Sequence, residues 1–240
     1  MKKVGIIGAG NIGMAIAKGL VSYKLMDTSE VYLSRKKSEL LDSQKKNGFV
    51  VTDNISLVKA CDYIILAVLP GQAKEVVEEI KASLDGGQKI LVSAVSTVTL
   101  QDLASWSGGL AKVVRIMPNT AVEYGASMTC IAGEEPELVT EIEELFAPMG
   151  QSMIIKEHLM PAATILAACG IAFFLRVIRA VSQGGIQIGF HAEEAGQIAA
   201  QTARGAAELL LQTENQPESD LDRVTTPMGT TISGLNEMEH

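Results

Sequence analysis

Through the first half of the chain, uninterrupted apolar runs alternate with helical patterns. The β-type runs fall at Lys3–Gly8, Val31–Ser34, Tyr63–Val68, Ile90–Ser93 and Val113–Met117. Between them, Ile12–Tyr23, Lys36–Asn47, Gln72–Ser83 and Leu100–Trp106 carry helical spacing. A strand that is apolar at every position, not at every second one, is buried on both faces. Such strands separated by helices predict a parallel sheet covered on both sides, and right-handed crossovers make it a doubly wound, Rossmann-type fold. A further strand is predicted at Ser127–Ala132, an acidic helix at Pro136–Phe146, and a last strand in "QSMIIKE".

After Lys156 the pattern changes. A long apolar helix is predicted from about Glu157 to Gly184 and another from about Ala192 to Leu211. The polar stretch "QTENQPESD" then connects to a short helix that "TPMGTTISGL", Thr226 to Leu235, opens. The chain therefore divides into an α/β domain, 1–152, and an all-helical domain, 153–240, with the boundary near Ser152. Two long helices bury little surface alone, so the second domain is expected to complete its core with another subunit. Its segment "LMPAATILAACGIAFFL", Leu159 to Leu175, is at the low edge of a membrane span in length. Pro161 near its start, with Arg176 and Arg179 directly after it, favours a helix buried on most faces in a subunit interface.

Composition narrows the function. The chain has 240 residues, 47% hydrophobic and 20% charged, with a net charge of −8. An acidic globular chain without a basic run is a poor nucleic-acid binder, although a local cationic spot can still serve a phosphate. Cys61, Cys130 and Cys169 are widely spaced, and His158, His191 and His240 form no ligand motif. Neither a disulfide framework nor a metal site is expected, and reduced thiols fit a cytoplasmic protein. "MKKVGIIGAG" breaks at glycines too soon to contain the apolar core of a signal peptide.

Gly8-Ala9-Gly10-Asn11-Ile12-Gly13 fits G-x-G-x-x-G between a predicted strand and a predicted helix, the context that gives this pattern meaning. The glycines suit a tight turn, a close approach to pyrophosphate and close helix–strand packing. The helix N-terminus adds its dipole. The second strand ends in Ser34-Arg35-Lys36, where an NAD site would carry an acidic residue for the ribose. A hydroxyl and two cations suit a 2′-phosphate; the other reading is a solvated basic helix start. NADPH is thus expected over NADH. "LAVLPGQ", Leu66 to Gln72, and "RIMPNT", Arg115 to Thr120, end later strands on the side where ligands bind in open parallel sheets. Pro70 and Gly71 would turn backbone toward the adenosine ribose. Asn119 suits either a turn cap or a contact that orients nicotinamide or substrate.

"GIIGAGNIGMAIAKGL", "AVLPGQ", "VVRIMPNT" with Gly125 after it, "AAQTARGAAELL" and "VTTPMGTTISGL" follow one another as in pyrroline-5-carboxylate reductases. The chain resembles that family over nearly its whole length. The resemblance implies NAD(P)H-dependent reduction of a cyclic imine, 1-pyrroline-5-carboxylate, to L-proline, the last step of proline biosynthesis. It also implies a Rossmann domain joined to an intertwined helical dimerisation domain. By the same resemblance the cofactor is met by Ile7 to Ile12, Ser34, Asn54, the loop Ala67-Val68-Leu69-Pro70, and Val95-Ser96. The substrate is met by Glu157 and by Thr226 to Thr231. Backbone N–H groups at Gly229, Thr230 and Thr231 would cradle its carboxylate at a helix N-terminus, with a hydroxyl from Thr226. Thr231 is the expected catalytic residue, holding the imine nitrogen and relaying a proton; the bland reading of the loop is a helix cap.

Some positions depart from the family. "LAACGIAF", Leu166 to Phe173, lacks hydroxyls common there, and Ile171 stands in place of a kinking proline. Leu69 replaces a lysine, and Pro227-Met228-Gly229 replaces Pro-Gly-Gly. Family members commonly carry another helix beyond the position of His240. The departures keep open two rivals, a reductase of another imine or carbonyl and a non-catalytic NADP-binding homologue.

Overall fold

The structure, a computed structural model, describes residues 2–213 and 215–239. The apolar runs become β1 (Val4–Ile7), β2 (Val31–Ser34), β4 (Tyr63–Leu66), β5 (Ile90–Ser93), β6 (Lys112–Met117), β7 (Ser127–Gly133) and β8 (Gly150–Ile154). A two-residue strand, β3 (Val50–Val51), joins them. The sheet order is β3-β2-β1-β4-β5-β6-β7-β8. β1 and β4 are apolar and buried at every position because both sides of the sheet are covered there, whereas β8 at the sheet edge is largely exposed. In β4, Tyr63 and Ile65 belong to one core cluster, while Ile64 and Leu66 belong to another across the sheet.

The helices of this part are α1 (Asn11–Ser22), α2 (Asp42–Lys46), α3 (Asn54–Ala60), α4 (Pro70–Ile80), α5 (Leu100–Ser107) and α6 (Pro136–Phe146). The helix expected at Lys36–Asn47 is a 3₁₀ turn, Ser38–Leu41, followed by the short α2. The five long apolar strands, β1, β2, β4, β5 and β6, are parallel, as their pattern implied, while the two later strands differ. β7 runs antiparallel to β6, and β8 parallel to β7. The link from Met117 to Ser127 holds only a 3₁₀ turn, Thr120–Tyr124, too little chain for a crossover helix, so the strand returns beside its neighbour. β7 and β8 are joined through α6, and that unit is parallel.

The chain forms two compact units, 1–171 and 172–240. Ser152 lies inside β8, and the first unit continues into the long helical stretch. That stretch comprises α7 (Met160–Ala163), a π-helical turn (Thr164–Cys169) and α8 (Gly170–Gln187). The second unit adds α9 (Ala192–Thr213), α10 (Pro217–Val224) and α11 (Thr230–Met238). α10 occupies part of the stretch read as a polar connection. Pro217 opens it, and Asp220 accepts hydrogen bonds from Thr213 and Asn215.

One helical stretch, Glu157–Gln187, is long and apolar enough to cross a membrane, with mean hydropathy 2.0, and 11% of that apolar window is buried within the chain. Within one chain this helix is thus exposed, and burial of the kind expected in a subunit interface falls to surfaces outside the single chain.

Candidate cofactor and substrate site

The glycine-rich turn lies between β1 and α1. Gly8 has φ +93, and a Cβ there would meet the carbonyl oxygen of Ala67 at 2.6 Å. A Cβ on Gly13 would meet the Gly8 carbonyl at the same distance. The N–H groups of Gly8 and Ala9 both donate to the Ser34 carbonyl at 3.0 Å, which fixes the turn against β2. Gly10 is the N-cap of α1 and offers no side-chain cap. The first-turn N–H groups at Asn11, Ile12 and Gly13 have no carbonyl to meet inside the helix. This chain therefore fits a dinucleotide phosphate here: it keeps donors free and removes side chains from the approach.

Ser34, Asn54 and Glu79 form a relay beside this turn. Ser34 Oγ donates to Asn54 Oδ1 at 2.6 Å, and Asn54 Nδ2 donates to Glu79 Oε2 at 2.8 Å. Arg35 and Lys36 are exposed, and Arg35 Nη1 lies 3.5 Å from the Ala9 carbonyl. Hence the cations and the glycine turn share one end of the sheet. Ala67 continues β4 beside β1, its N–H donating to the Ile7 carbonyl at 2.8 Å. Val68 is half-buried, whereas Leu69 and Pro70 are exposed at the start of α4.

At the end of β5, Val95 is buried and Ser96 half-buried. The Ser96 carbonyl accepts a hydrogen bond from Arg115 Nη2 at 2.9 Å. Arg115 Nη1 donates to Glu157 Oε1 at 3.1 Å. The same oxygen accepts the Leu100 N–H at 2.6 Å. Glu157, expected to meet substrate, therefore already has one oxygen engaged by the protein. Arg115 is a functional residue to which the sequence pattern alone assigns no role. Its signal was present, as a cation in the middle of the apolar run "VVRIM".

Asn119 is 6% exposed, and both polar atoms of its amide are engaged. Oδ1 accepts the Ala121 N–H at 2.9 Å, and Nδ2 donates to the Ala167 carbonyl at 3.1 Å. Ala167 lies in the π turn, where five-residue hydrogen-bond steps leave a carbonyl without its usual helical donor. The helix therefore keeps an irregularity here without the proline that Ile171 replaces.

Thr226 to Thr231 belong to the second unit. Thr226, Thr230 and Thr231 are exposed, and no side chain caps α11 at its N-cap, Gly229. The Gly229 N–H closes the turn on the Thr226 carbonyl at 3.0 Å, so it is not one of the free donors expected. The free set is the first turn of α11, Thr230 and Thr231 included. Met228 holds φ +59 and is 99% exposed, a left-handed backbone at the position where the sequence departs from glycine. Among the described residues no group of three or more His, Cys, Asp or Glu is gathered.

Comparison with known proteins adds a second line of evidence. Residues 157–240 match the family model for pyrroline-5-carboxylate reductase dimerisation, and residues 3–97 match that for coenzyme F420-dependent NADP oxidoreductase. The chain is 41% identical to pyrroline-5-carboxylate reductase 1 of Dictyostelium discoideum, over 99% of this chain and 46% of that protein. It thus spans about half the length of that relative. It is 40% identical to pyrroline-5-carboxylate reductase 2 of the same organism, over 100% of this chain and 86% of that one. A crystal structure of Plasmodium falciparum pyrroline carboxylate reductase with NADP bound superposes with a TM-score of 0.89 at 25% identity. That match covers 99% of this chain and 89% of the other.

Proposed function

This chain belongs to the pyrroline-5-carboxylate reductase family, and on that premise we propose that it reduces 1-pyrroline-5-carboxylate to L-proline with NADPH. The observation that carries the reading is that one chain holds both an open, glycine-built helix start in α1 and, in its second unit, a hydroxyl-rich, uncapped helix start in α11. One suits a dinucleotide phosphate, the other a small carboxylate. NADPH supplies hydride to the imine carbon. The chain's own contribution is placement and charge.

The first-turn N–H groups of α1 hold pyrophosphate, and Ser34, Arg35 and Lys36 meet the 2′-phosphate. The first turn of α11 and Thr226 hold the substrate carboxylate. Where the imine is neutral, Thr231 Oγ1 donates its proton to the imine nitrogen as hydride reaches the carbon, and solvent returns a proton to the hydroxyl. Where the imine is already protonated, Thr231 only orients it. The protein works as a homodimer, supported by the match to a dimerisation domain and by the exposed apolar helix α8. A reducing cytoplasm suits its free cysteines, two of them buried.

Thr231→Ala tests the assignment. NADPH affinity should hold, because the nucleotide turn lies in the first unit, while turnover should fall about 10- to 1000-fold. Thr231→Ser should keep most activity. Unchanged kinetics in Thr231→Ala would reduce the loop to a helix cap. A wild-type protein that binds NADPH but never oxidises it with the cyclic imine would favour the non-catalytic homologue, for which "LAACGIAF" is the support.

A further inference from the structure

Arg115 stands where the strand has no need of charge. β6 is buried from Val114 to Met117, and the arginine side chain is 4% exposed. Alternation puts it on the same face as Val113 and Met117. Val113 packs on the second core cluster and Met117 belongs to a third, so Arg115 stands on the strand between residues of two apolar clusters. An apolar side chain would serve packing as well, since replacing a buried ion pair with well-packed apolar groups is often neutral or stabilising. The arginine also leaves Nε buried without a hydrogen-bond partner among the described residues, which costs the desolvation of a donor. Packing alone therefore does not account for this residue.

What the guanidinium holds does account for it. Nη2 fixes the Ser96 carbonyl, at the start of the loop between β5 and α5. Nη1 fixes Glu157 Oε1, and that oxygen takes the N–H of Leu100, the first residue of α5. Both ends of the loop are thus tied through one cation. Glu157 is gripped by one oxygen only. Oε2 has no hydrogen-bond partner among the described residues, and the side chain is 33% exposed.

We propose that Arg115 is a positioning residue of the reduction. It locks the 95–100 loop and Glu157 into one unit, and it leaves Glu157 Oε2 for a donor on the ligand. The proposal rests on the reading of the site given above. Arginine suits the task because its permanently charged fork can hold two acceptors at a fixed angle, which a lysine cannot do.

The experiment compares wild type, Arg115→Met, Arg115→Lys, Glu157→Gln and the Arg115→Met/Glu157→Gln double variant, each as the full chain. NADPH titration by fluorescence counts folded sites. Steady-state kinetics with 1-pyrroline-5-carboxylate are then normalised to those sites. Arg115→Met should lose about 10- to 100-fold in kcat/KM, the scale of a misplaced reacting group. Arg115→Lys should restore little of it, and the double variant should be no worse than the poorer single one. Hydrogen exchange supplies a readout free of turnover: the Leu100 amide should exchange faster in Arg115→Met than in wild type. An inactive wild type would sink the reductase reading, while faster Leu100 exchange would still uphold the clamp. Normal kcat/KM per NADPH site, with only a lower Tm and unchanged Leu100 exchange, would overturn the proposal and make Arg115 a plain structural residue.

Discussion

Ser34 shows how little of a site one residue carries alone. Its hydroxyl is 2.6 Å from Asn54 Oδ1, and Asn54 in turn is held by Glu79 at 2.8 Å. Beside this relay, Arg35 is exposed and only loosely held at the Ala9 carbonyl, so its guanidinium can turn to a phosphate. Arg35→Ala should therefore weaken NADPH far more than NADH. A charge-assisted hydrogen bond contributes about 1.5–3 kcal/mol, roughly 10- to 150-fold in affinity. Equal losses for the two cofactors, measured by titration, would refute the 2′-phosphate contact. The basic pair and the glycine turn were legible in the sequence because each is a run of neighbours with one chemical meaning. Glu79 and Arg115 were not, since their partners are set by which strands and helices lie side by side. Asn119 was legible as either a cap or a ligand contact; its two engaged amide atoms make it a brace between the 3₁₀ turn and the π turn.

At the scale of elements, long apolar strands and helices were legible in place and type, with ends shifted by a few residues, because both their period and their turns are local. β3 and α3 were missed. A two-residue strand has no period to detect, and α3 announces itself only by Asp53, whose side chain accepts the Ser56 N–H. The turning of β7 was missed because direction depends on the length of a link, not on strand composition. The caps of these helices carry a pH dependence. At the start of α5 the carboxyl of Asp102 is held below its ordinary value of 3.8, first by the Thr99 hydroxyl and then by the Thr99 backbone. A lowered folded pKa stabilises above the unfolded value and is lost as pH falls through the folded one. Asp53 at α3 is lowered in the same direction by Ser56. Asp102→Asn should accordingly lower the urea midpoint at pH 7, and its difference from wild type should shrink as pH approaches 3. A difference constant from pH 7 to 3 would show that the carboxylate charge has no part in the cap.

For the whole molecule, the decisive quantity is apolar surface left uncovered. The first unit buries its clusters on both sides of the sheet, yet α8 leaves Phe173, Phe174, Leu175, Val177 and Val181 exposed, and α9 leaves Leu209 and Leu211. Water penalises such a surface at about 25 cal/mol per Å², and monomers rarely carry contiguous patches of this kind. Residues 157–240 match a dimerisation domain, so a second copy of this chain is the cover that fits. Phe174, 70% exposed, is a direct probe of that interface. Phe174→Asp would place an unpaired carboxylate against apolar side chains, which costs several kcal/mol once water is excluded. In sedimentation at low micromolar concentration the wild type should run as a dimer or larger, and the variant should shift to monomer. NADPH binding should survive, since the glycine turn, Ser34 and Arg35 belong to the first unit. The wild-type unfolding midpoint should rise with protein concentration, as mass action requires when folding and association are linked. A wild type that stays monomeric would leave the α8 surface without its cover and overturn the dimer. A variant that sediments like wild type would instead move the interface away from Phe174, to the exposed faces of α9 and α11.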